Sequence, residues 1–488
     1  MSVGATAAVA VLLPLLGGLL VLALRRWPNA REAATLVTAG ALFLTVLSML
    51  EPVRNGTVAG LTLVEVLPGI TLGVQVEPLG LLFALVASFL WIVTSLYSIG
   101  YMRGHHEENQ TRFYFFFAVS IAAAMGVAFA ANLFTLFAFY EVLTLCTFPL
   151  VTHHGTDEAR RAGRVYLGIL LTTSVGFQLL AILWTWQVAG SVDFRPGGIL
   201  AGKASTGLLS ALLVLYVFGV GKAAVMPFHR WLPAAMVAPT PVSALLHAVA
   251  VVKAGVFTIL KISVYVFGLD LMGSLAAATW LAWVAAATII LASLVAFTKD
   301  NLKARLAYST ISQLSYIVLG ALLANQWGIV GGGMHIAMHA FGKITLFFAA
   351  GAVLVAAHET EISRMHGLGR SMPITFGAFF VGSLSIVGIP PAGGAWSKWF
   401  LGLGTLEAGQ IGLLAVLMVS SLLSLVYLLE VPVRAFFSPP PEGVHRAAGI
   451  HEAPWPSVLA LVITAVATVA LFIGPSTVYS LMMEVVAP

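Results

Sequence analysis

The sequence predicts an all-α polytopic membrane protein. Three observations predict this fold class: 60% of the 488 residues are hydrophobic, only 9% are charged, and the mean hydropathy is +0.99. Apolar stretches of about 20 residues recur along the chain, and each is long enough to cross a hydrocarbon core about 30 Å thick. A transmembrane β-barrel would instead show short segments of alternating hydrophobicity, which do not recur in this sequence.

The apolar stretches predict about fourteen transmembrane helices. Their approximate spans are 4–24, 33–50, 79–101, 113–131, 132–152, 165–187, 206–236, 240–268, 273–298, 303–323, 327–356, 374–404, 410–436 and 455–485. The first span lacks a charged segment before it, so we predict a membrane helix and not a cleaved signal peptide. Segment 51–78 is too polar to cross the bilayer. Its alternation of apolar and polar residues predicts a short hairpin on the membrane surface.

The distribution of Lys and Arg orients these helices, because positive charges concentrate in cytoplasmic loops. With the N-terminus outside, sixteen of the 24 Lys and Arg residues lie in inside loops, three lie in outside loops, and five lie within spans. This bias supports fourteen spans. It predicts that both termini lie outside. The membrane that we expect is the cytoplasmic membrane of a bacterium or archaeon.

Composition and motifs exclude several function classes. The single cysteine, Cys146, rules out an intrachain disulfide and a cysteine-ligated iron–sulfur cluster or zinc finger. The sequence contains no phosphate-binding loop, dinucleotide-binding fingerprint or serine nucleophile motif. The net charge of +5 arises mostly from loops, so it indicates membrane topology and not nucleic-acid binding. We expect no cofactor, no metal and no nucleic-acid partner for this chain.

Prolines interrupt two of the predicted spans. Pro227 follows Lys222 in the seventh span, and Pro390 and Pro391 precede Lys398 in the twelfth. Proline removes a backbone donor, and broken helices are tolerated at membrane depth where they line a cavity or are buried in protein. Broken helices in corresponding positions of two halves indicate inverted repeats. The predicted organisation is therefore N-terminal helices 1–3 with the hairpin in 1–112, one five-helix repeat in 113–268, a second in 269–436, and a last helix in 437–488.

Five charged side chains interrupt apolar stretches: Glu141, Lys222, Lys253, Lys343 and Lys398. An ionisable group at membrane depth costs at least about 2.5–3.5 kcal/mol, and such groups usually mark ion or proton pathways. We therefore predict a row of titrating sites that moves protons, with Glu141 paired to Lys222. A static salt bridge between two helices is the alternative for this pair. Snorkelling of the ammonium group to the interface is the alternative for Lys253.

Histidines extend this predicted row. His335, His339 and Lys343 are spaced by four residues, which places them on one face of the eleventh helix. Histidine titrates near neutral pH, so this stripe suits a path for water and protons. Two histidines at this spacing could also ligate a metal, but no third ligand lies nearby in sequence.

Other polar residues receive supporting or structural interpretations. They are His229 and His247 near the seventh and eighth spans, Gln313 in the tenth, Glu430 in the thirteenth, and Lys261 near the outer end of the eighth. Gln313 could hydrate its helix or join two helices. Glu430 precedes Arg434 by four residues, which predicts a helical ion pair near the inner interface, with proton uptake as the alternative. Lys261 suits a structural or exit-side role. The clusters 105–108 and 153–154 are predicted to be solvated loop residues, or proton collectors at the inner mouth.

Several of these motifs occur together and in order, and they resemble those of the antiporter-like subunits shared by respiratory complex I, Mrp-type cation/proton antiporters and membrane-bound hydrogenases. The segments that carry the resemblance are the Glu141 helix, 221–222 with 227–233, 238–247, 307–313, the His335/His339/Lys343 stripe, and 388–394 with Lys398. The resemblance implies two inverted five-helix repeats and a hydrophilic axis at mid-membrane. Onto that axis it maps Glu141, Lys222, Lys253, His339 with Lys343, and Lys398.

The resemblance also bears on the kind of complex. The length of the chain is similar to that of the D-type subunits of Mrp antiporters and of the smaller complex I subunits. Lys398 stands where one complex I branch has glutamate. Ala395 departs from the aromatic residue usual after Gly394, which concerns packing at the twelfth-helix break. The expected function is proton translocation in a Mrp-type antiporter with other membrane subunits, in which Na⁺ or K⁺ could also cross the complex. A subunit of a complex I-like or hydrogenase redox enzyme is one alternative. A membrane subunit of an inorganic-carbon uptake system is another.

Overall fold

The computed structural model describes residues 2–245, 249–440 and 449–487. The helices of these ranges are α1 (Val3–Ala23), α2 (Pro28–Leu47), α3 (Leu50–Arg54), α4 (Pro78–Gly104), α5 (Gln110–Ala128), α6 (Leu133–Val151), α7 (Asp157–Thr173), α8 (Leu179–Ala189), α9 (Thr206–Gly219), α10 (Trp231–Ala234), α11 (Thr240–Ala244), α12 (Val251–Ile262), α13 (Leu269–Ser274), α14 (Ala276–Phe297), α15 (Leu302–Leu322), α16 (Gln326–Ala357), α17 (Pro373–Val387), α18 (Gly394–Glu407), α19 (Ile411–Phe437), α20 (Trp455–Ile473) and α21 (Ser476–Val486).

An antiparallel hairpin of β1 (Ala59–Leu67) and β2 (Ile70–Val76) joins α3 to α4. The hairpin predicted from the alternating pattern is confirmed. Every residue of β1 after Ala59 is exposed, whereas every residue of β2 is buried or half-buried. The fold is therefore almost entirely helical, with the hairpin as its sheet in the described residues.

Ten helices in the described residues are long and apolar enough to cross a membrane. The seventh, eighth, tenth and twelfth predicted spans are missing from this set. Three of these four are divided into shorter pieces, and the tenth, α15, carries Lys303, Arg305 and a series of Ser, Thr and Gln residues. The structure confirms a polytopic helical membrane protein, and the count of fourteen spans stays a prediction.

The two spans predicted to be broken near Pro227 and near Pro390–Pro391 are interrupted. In the seventh, α9 ends at Gly219 and a short 3₁₀ turn, Gly221–Ala223, is followed by non-helical chain up to α10. In the twelfth, α17 is followed by Gly388, whose φ of +91° lies in the left-handed region that glycine adopts without steric cost.

Two further interruptions contradict the sequence-based prediction of continuous spans. The eighth span is divided into α11 and α12, and Ala250 between them has non-helical dihedral angles. No proline lies at this break, so the sequence carried no local signal for it. The predicted last span, 455–485, ends at Ile473, because Pro475 cannot donate the next helical hydrogen bond and α21 starts as a separate helix.

The centre of the molecule is α16, whose residues from Gly328 to Val353 are all buried. It packs against α4, α15, α17, α18 and α20. Because the predicted His and Lys stripe lies on this helix, the packing removes its polar side chains from both lipid and water. The polar groups must therefore find partners on the surrounding helices.

Candidate functional site

Lys222 lies in the 3₁₀ turn of the seventh-span break and is fully buried. Its Nζ donates to the backbone oxygen of Tyr140 at 2.8 Å and to Oγ1 of Thr144 at 2.5 Å. The same Nζ lies 3.2 Å from the centroid of the Tyr140 ring. The ammonium group is therefore held by α6 through two oxygen acceptors and an aromatic face.

Glycine allows α12 to approach this turn closely. A Cβ atom on Gly255 would lie 2.4 Å from the carbonyl carbon of Lys222, which no real side chain tolerates. The segment of α12 that contains Lys253 is thereby packed directly on the Lys222 break.

Glu141 does not form the predicted ion pair within 4.0 Å of Lys222 in this structure. Both of its carboxylate oxygens are buried without a hydrogen-bond partner, although the residue as a whole is half-buried. The Lys222 ammonium instead bonds to the backbone oxygen of Tyr140, the residue that precedes Glu141. The structure thus places the two residues near each other on α6 and the adjacent turn, and their direct pairing stays a prediction.

Lys253 and His339 meet in the interior. A hydrogen bond of 2.7 Å joins Nζ of Lys253 to Nδ1 of His339, and both side chains are buried. The ring of His335 lies 5.6 Å from that of His339, one turn along α16. Its Nδ1 is hydrogen-bonded to Oγ of Ser397 on α18 at 2.8 Å. Snorkelling of Lys253 to an interface is excluded by these contacts.

Lys398 lies just beyond the second break and forms a similar set of contacts. Its Nζ donates to the backbone oxygen of Val387 at 3.1 Å and to Oγ of Ser421 at 2.9 Å. It also lies 4.7 Å from the centroid of the Tyr316 ring, which stacks on His335 with a centroid distance of 5.8 Å. Aromatic and imidazole rings therefore link Lys398 to the histidines of α16.

Lys343 is connected to α15 and α19. Its Nζ donates to Oγ of Ser309 at 2.7 Å, and the hydroxyl of Tyr427 donates to the same Ser309 oxygen at 3.0 Å. The backbone oxygen of Tyr427 accepts from Arg305 at 2.9 Å. This branch of hydrogen bonds leads from the buried stripe of α16 to the basic residues at the N-terminal end of α15.

Glu430 occupies the end of this branch and bridges two arginines. Its carboxylate lies 2.5 Å from the Arg434 guanidinium, as the i, i+4 spacing predicts, and 2.5 Å from that of Arg305. The second partner comes from α15, and local spacing gave no sign of it. Glu430 is thus part of a half-buried three-residue ion-pair network.

The residues predicted to support the row lie in different environments. Gln313 is fully buried and neither atom of its amide has a hydrogen-bond partner, so it does not join helices through hydrogen bonds. His229 lies in the non-helical chain of the seventh span, with its ring 6.3 Å from that of Tyr308. Pro227, Pro390 and Pro391 lie in the two breaks and are exposed. His247 lies outside the described residues.

The loop clusters 105–108 and 153–154 are only partly solvated, which corrects the first interpretation of these residues. The Glu107 side chain is only 6% exposed and lies 3.1 Å from His105 and 3.3 Å from His154. Burial would raise the pKa of Glu107, but the hydrogen bond from His154 and the charges of the surrounding histidines lower it overall. The hydrogen bond with Glu107 raises the pKa of His154. Packing of two loops, which the sequence did not reveal, buries this contact.

Sequence reasoning missed the residues that hold the lysines. They are Tyr140, Thr144, Ser397 and Tyr427, which are all fully buried and all contact a predicted site residue or its partner. For two of them a signal existed, because Tyr140 and Thr144 are spaced by four residues on the Glu141 helix and share a face. The others come from distant parts of the chain and need the tertiary structure.

Comparison with known proteins identifies the family of the chain. Residues 130–424 match the family described as NADH:quinone oxidoreductase/Mrp antiporter, TM, which covers more than half of the chain. The chain belongs to this family. Residues 68–114 also match the N-terminal region of chain 5 of NADH-ubiquinone oxidoreductase (complex I). The resemblance drawn from the motifs is therefore confirmed, and the protein is an antiporter-like membrane subunit.

The sequence of this chain is similar to those of respiratory subunits. The chain is 35% identical over 377 residues to NADH-quinone oxidoreductase subunit N of Desulforudis audaxviator (strain MP104C), covering 76% of this chain and 74% of that one. It is 32% identical over 366 residues to NAD(P)H-quinone oxidoreductase chain 5 of Picosynechococcus sp. (strain ATCC 27264 / PCC 7002 / PR-6), covering 68% of this chain and 53% of that one. The chain thus matches about half the length of this chain 5 relative.

Two solved structures share the fold of this chain over nearly its whole length. A chain in the Mrp complex from Dietzia sp. DQ12-45-1b superimposes with a TM-score of 0.87 at 22% identity, covering 99% of this chain and 97% of that one. A chain of the membrane-bound sulfane sulfur reductase, an archaeal respiratory membrane complex, gives 0.84 at 23% identity, covering 98% and 96%. At these identities the likeness shows the fold alone.

Proposed function

We propose that this chain moves protons across the membrane along a buried row of ionisable residues. The row comprises Glu141, Lys222, Lys253, His339 with Lys343, His335 and Lys398. The observation that carries the proposal is the direct contact of Lys253 with His339 and the ring contacts that continue from His339 to Lys398. Buried ionisable groups are costly at membrane depth, so a row of them in one protein favours a transport role.

Coupling between the members of the row is electrostatic. Two unit charges about 10 Å apart at an effective dielectric of about 20 interact by roughly 1.7 kcal/mol. Because one pKa unit corresponds to about 1.4 kcal/mol, protonation of one lysine biases the next. Opening and closing of a Glu141–Lys222 pair would gate the inner end of the row, since the unpartnered Glu141 carboxylate lies near Lys222 without bonding to it.

A pseudosymmetric pair of contacts supports the two five-helix repeats that the proposal includes. Lys222 lies on the ring of Tyr140 in α6, and Lys398 lies near the ring of Tyr316 in α15. Lys222 lies in the break of the fourth helix of its proposed repeat, Lys398 lies just after the corresponding break, and each tyrosine belongs to the second helix of its repeat. An inverted repeat would produce this correspondence.

The substitution Lys222→Ala tests the transport role. We expect proton transport in membrane vesicles to fall by at least about 10²-fold, the usual cost of losing a proton-transferring group, while the variant still assembles. A variant that fails to assemble would instead support a static salt bridge. Lys203→Ala, in an exposed outer loop, serves as the matched control because it removes a lysine outside the row.

We propose a Mrp-type cation/proton antiporter as the complex that contains the chain, with other membrane subunits as partners and both termini on the outer side. The full-length likeness to a chain of the Dietzia Mrp complex supports this choice. The second candidate is a redox-driven complex, which the likeness to the sulfane sulfur reductase and the sequence relation to NADH-quinone oxidoreductase subunit N favour.

The proteins that copurify with the chain in mild detergent distinguish these candidates. Small hydrophobic antiporter subunits alone would support the Mrp-type complex, and transport assays with Na⁺, K⁺ and pH gradients would follow. Soluble iron–sulfur or nickel subunits would support the redox complex and contradict the Mrp assignment. A soluble zinc protein as the main partner would point to inorganic-carbon uptake.

A further inference from the structure

A cavity at the end of the molecule that carries the hairpin and α21 contains ionisable groups that the proposed row does not use. Its volume is about 340 Å³, and its lining includes Arg54, Glu77, Lys261, Tyr265, Glu484 and Ala487. In the proposed orientation this end faces outside. The cavity therefore lies between the outer medium and the helices of the first proposed repeat.

Three titratable side chains form one hydrogen-bonded line in the wall of this cavity. Nζ of Lys261 lies 3.3 Å from Oε1 of Glu77, and the hydroxyl of Tyr265 donates to Oε2 of Glu77 at 2.9 Å. Lys261 also donates to the backbone oxygen of Ala130 at 2.9 Å. All three side chains are buried, so the wall presents an amine, a carboxylate and a phenol shielded from lipid.

Helix α12 connects this wall to the proposed row. Lys261 follows Lys253 by eight residues, which places it about 12 Å further along the helix axis. Thr258, which is fully buried, is the hydroxyl side chain between them on α12. One helix thus carries a lysine bonded to His339 at its inner part and a lysine in the cavity wall at its outer part.

Two other cavities are less suited than this one to exchange protons with the outer medium, because their linings are more apolar or carry no ionisable group. The groove beside Lys398 is walled mainly by Leu414, Leu417, Met418, Leu422 and Leu425, with Ser421 as a polar residue. The cavity between Gly273 and Gln410 has no ionisable side chain in its lining. The cavity at Lys261 combines ionisable groups with an opening, as proton exchange requires.

We propose that the Lys261–Glu77–Tyr265 cavity is an outward proton-exchange site of this chain. This inference rests on the proposed function and its orientation. In the outward step the Lys261 ammonium transfers a proton to the Glu77 carboxylate. The resulting carboxylic acid releases the proton to cavity water as hydronium. The neutral Lys261 amine is then protonated again from the inner side, so one proton has moved and no other bond has changed.

A purely structural role is the competing explanation for the same contacts. Glu77 is the N-cap of α4, where its carboxylate accepts from the backbone N–H groups of Leu79 at 2.8 Å and Gly80 at 2.7 Å. Lys261 and Tyr265 could serve only to hold this cap in place. The two explanations differ in whether the cavity must stay open to outer water for transport.

Blocking the cavity from outside tests the proposal on the full complex. Ala487→Cys is introduced in a Cys146→Ala background, because Cys146 is the only cysteine of this chain, and right-side-out vesicles are treated with a membrane-impermeant quaternary-ammonium methanethiosulfonate. Ala201→Cys is the matched control, since Ala201 is exposed on an outer loop away from the cavity lining. Transport is compared before and after labelling of each variant.

We expect labelling of Cys at 487 to slow proton transport by at least about tenfold, since removal of a proton-transferring step costs about 10²–10⁴-fold. Labelling at 201 should leave the rate unchanged. The inference is overturned if position 487 does not react from outside, if complete labelling there leaves transport intact, or if both positions lose transport equally. None of these outcomes changes the result expected for Lys222→Ala, so the proposed function is tested separately from this inference.

Discussion

At the residue scale, the buried lysines are held by oxygen acceptors and aromatic faces in place of water. Lys222 and Lys398 each combine a backbone carbonyl, a hydroxyl and a tyrosine ring. A cation over an aromatic ring gains about 2 kcal/mol or more when it is desolvated. These contacts offset part of the cost of burial, and they stabilise the charged lysine without fixing it in a salt bridge.

Substitution of Tyr140 should separate the ring from the hydroxyl. Tyr140→Leu removes the aromatic face, and we expect a loss of about 2 kcal/mol in the stabilisation of charged Lys222. Tyr140→Phe keeps the ring and loses only the hydroxyl that accepts from the Lys222 backbone N–H at 3.0 Å. Initial rates of proton transport per assembled complex should rank wild type, Phe and Leu in falling order. Equal rates for Phe and Leu would contradict a role for the ring.

The Glu107–His154 contact predicts a pH-dependent stability. Its hydrogen bond with Glu107 raises the pKa of His154, so the protonated form stabilises the fold fully below about 6.5, the ordinary histidine value, and this contribution is lost as pH rises through the raised pKa. The lowered pKa of Glu107 keeps its contribution down to acidic pH. Glu107→Gln should therefore lower the melting temperature most near pH 6 and progressively less above it.

Thermal unfolding of the purified complex across this pH range measures the effect. Glu108→Gln is the matched control, because Glu108 is the exposed neighbour on the same loop. A difference between wild type and Glu107→Gln that does not change with pH would show that the contact is not ionic.

The residues of the site could be predicted only in part. Glu141, the lysines and the histidines stood out because charges are rare in apolar runs. Most of their partners did not, since Ser397, for example, reaches His335 across 62 residues of sequence. Glu107 was misjudged because its burial depends on loop packing that no local pattern encodes.

At the scale of elements, the interruptions of the helices position the site. The sequence analysis predicted the breaks at Pro227 and at Pro390–Pro391, because proline removes a backbone donor and can be recognised locally. It missed the division between α20 and α21, although Pro475 lies there. It also missed the division between α11 and α12, where no proline lies.

Close packing of α12 on the seventh-span break yields a prediction. Gly255→Ala should force the helix away from Lys222, because its Cβ would lie 2.4 Å from the backbone there, and overpacking typically costs about 1–3 kcal/mol. Gly168→Ala on α7 is the control, since nothing lies within 4 Å of a Cβ at that helical position. The thermal stability of the purified complex should fall for the first variant alone. Equal stability of both would contradict the packing argument.

At the scale of the whole molecule, the buried stripe of α16 joins the two proposed halves. Lys253 contributes from one half, and His335, His339 and Lys398 contribute from the other. Residues that act as one unit show non-additive effects when they are changed together. A single proton row therefore predicts that a second substitution within it adds little to the first.

The measurement that tests this claim most directly is proton transport by the reconstituted complex with Lys253→Ala, His339→Ala and both together. We predict that each single variant loses at least about 10²-fold in rate, that the double variant is no slower than the worse single one, and that Lys203→Ala matches wild type. Near-normal transport in either single variant, or losses that multiply in the double variant, would contradict a continuous row through Lys253 and His339.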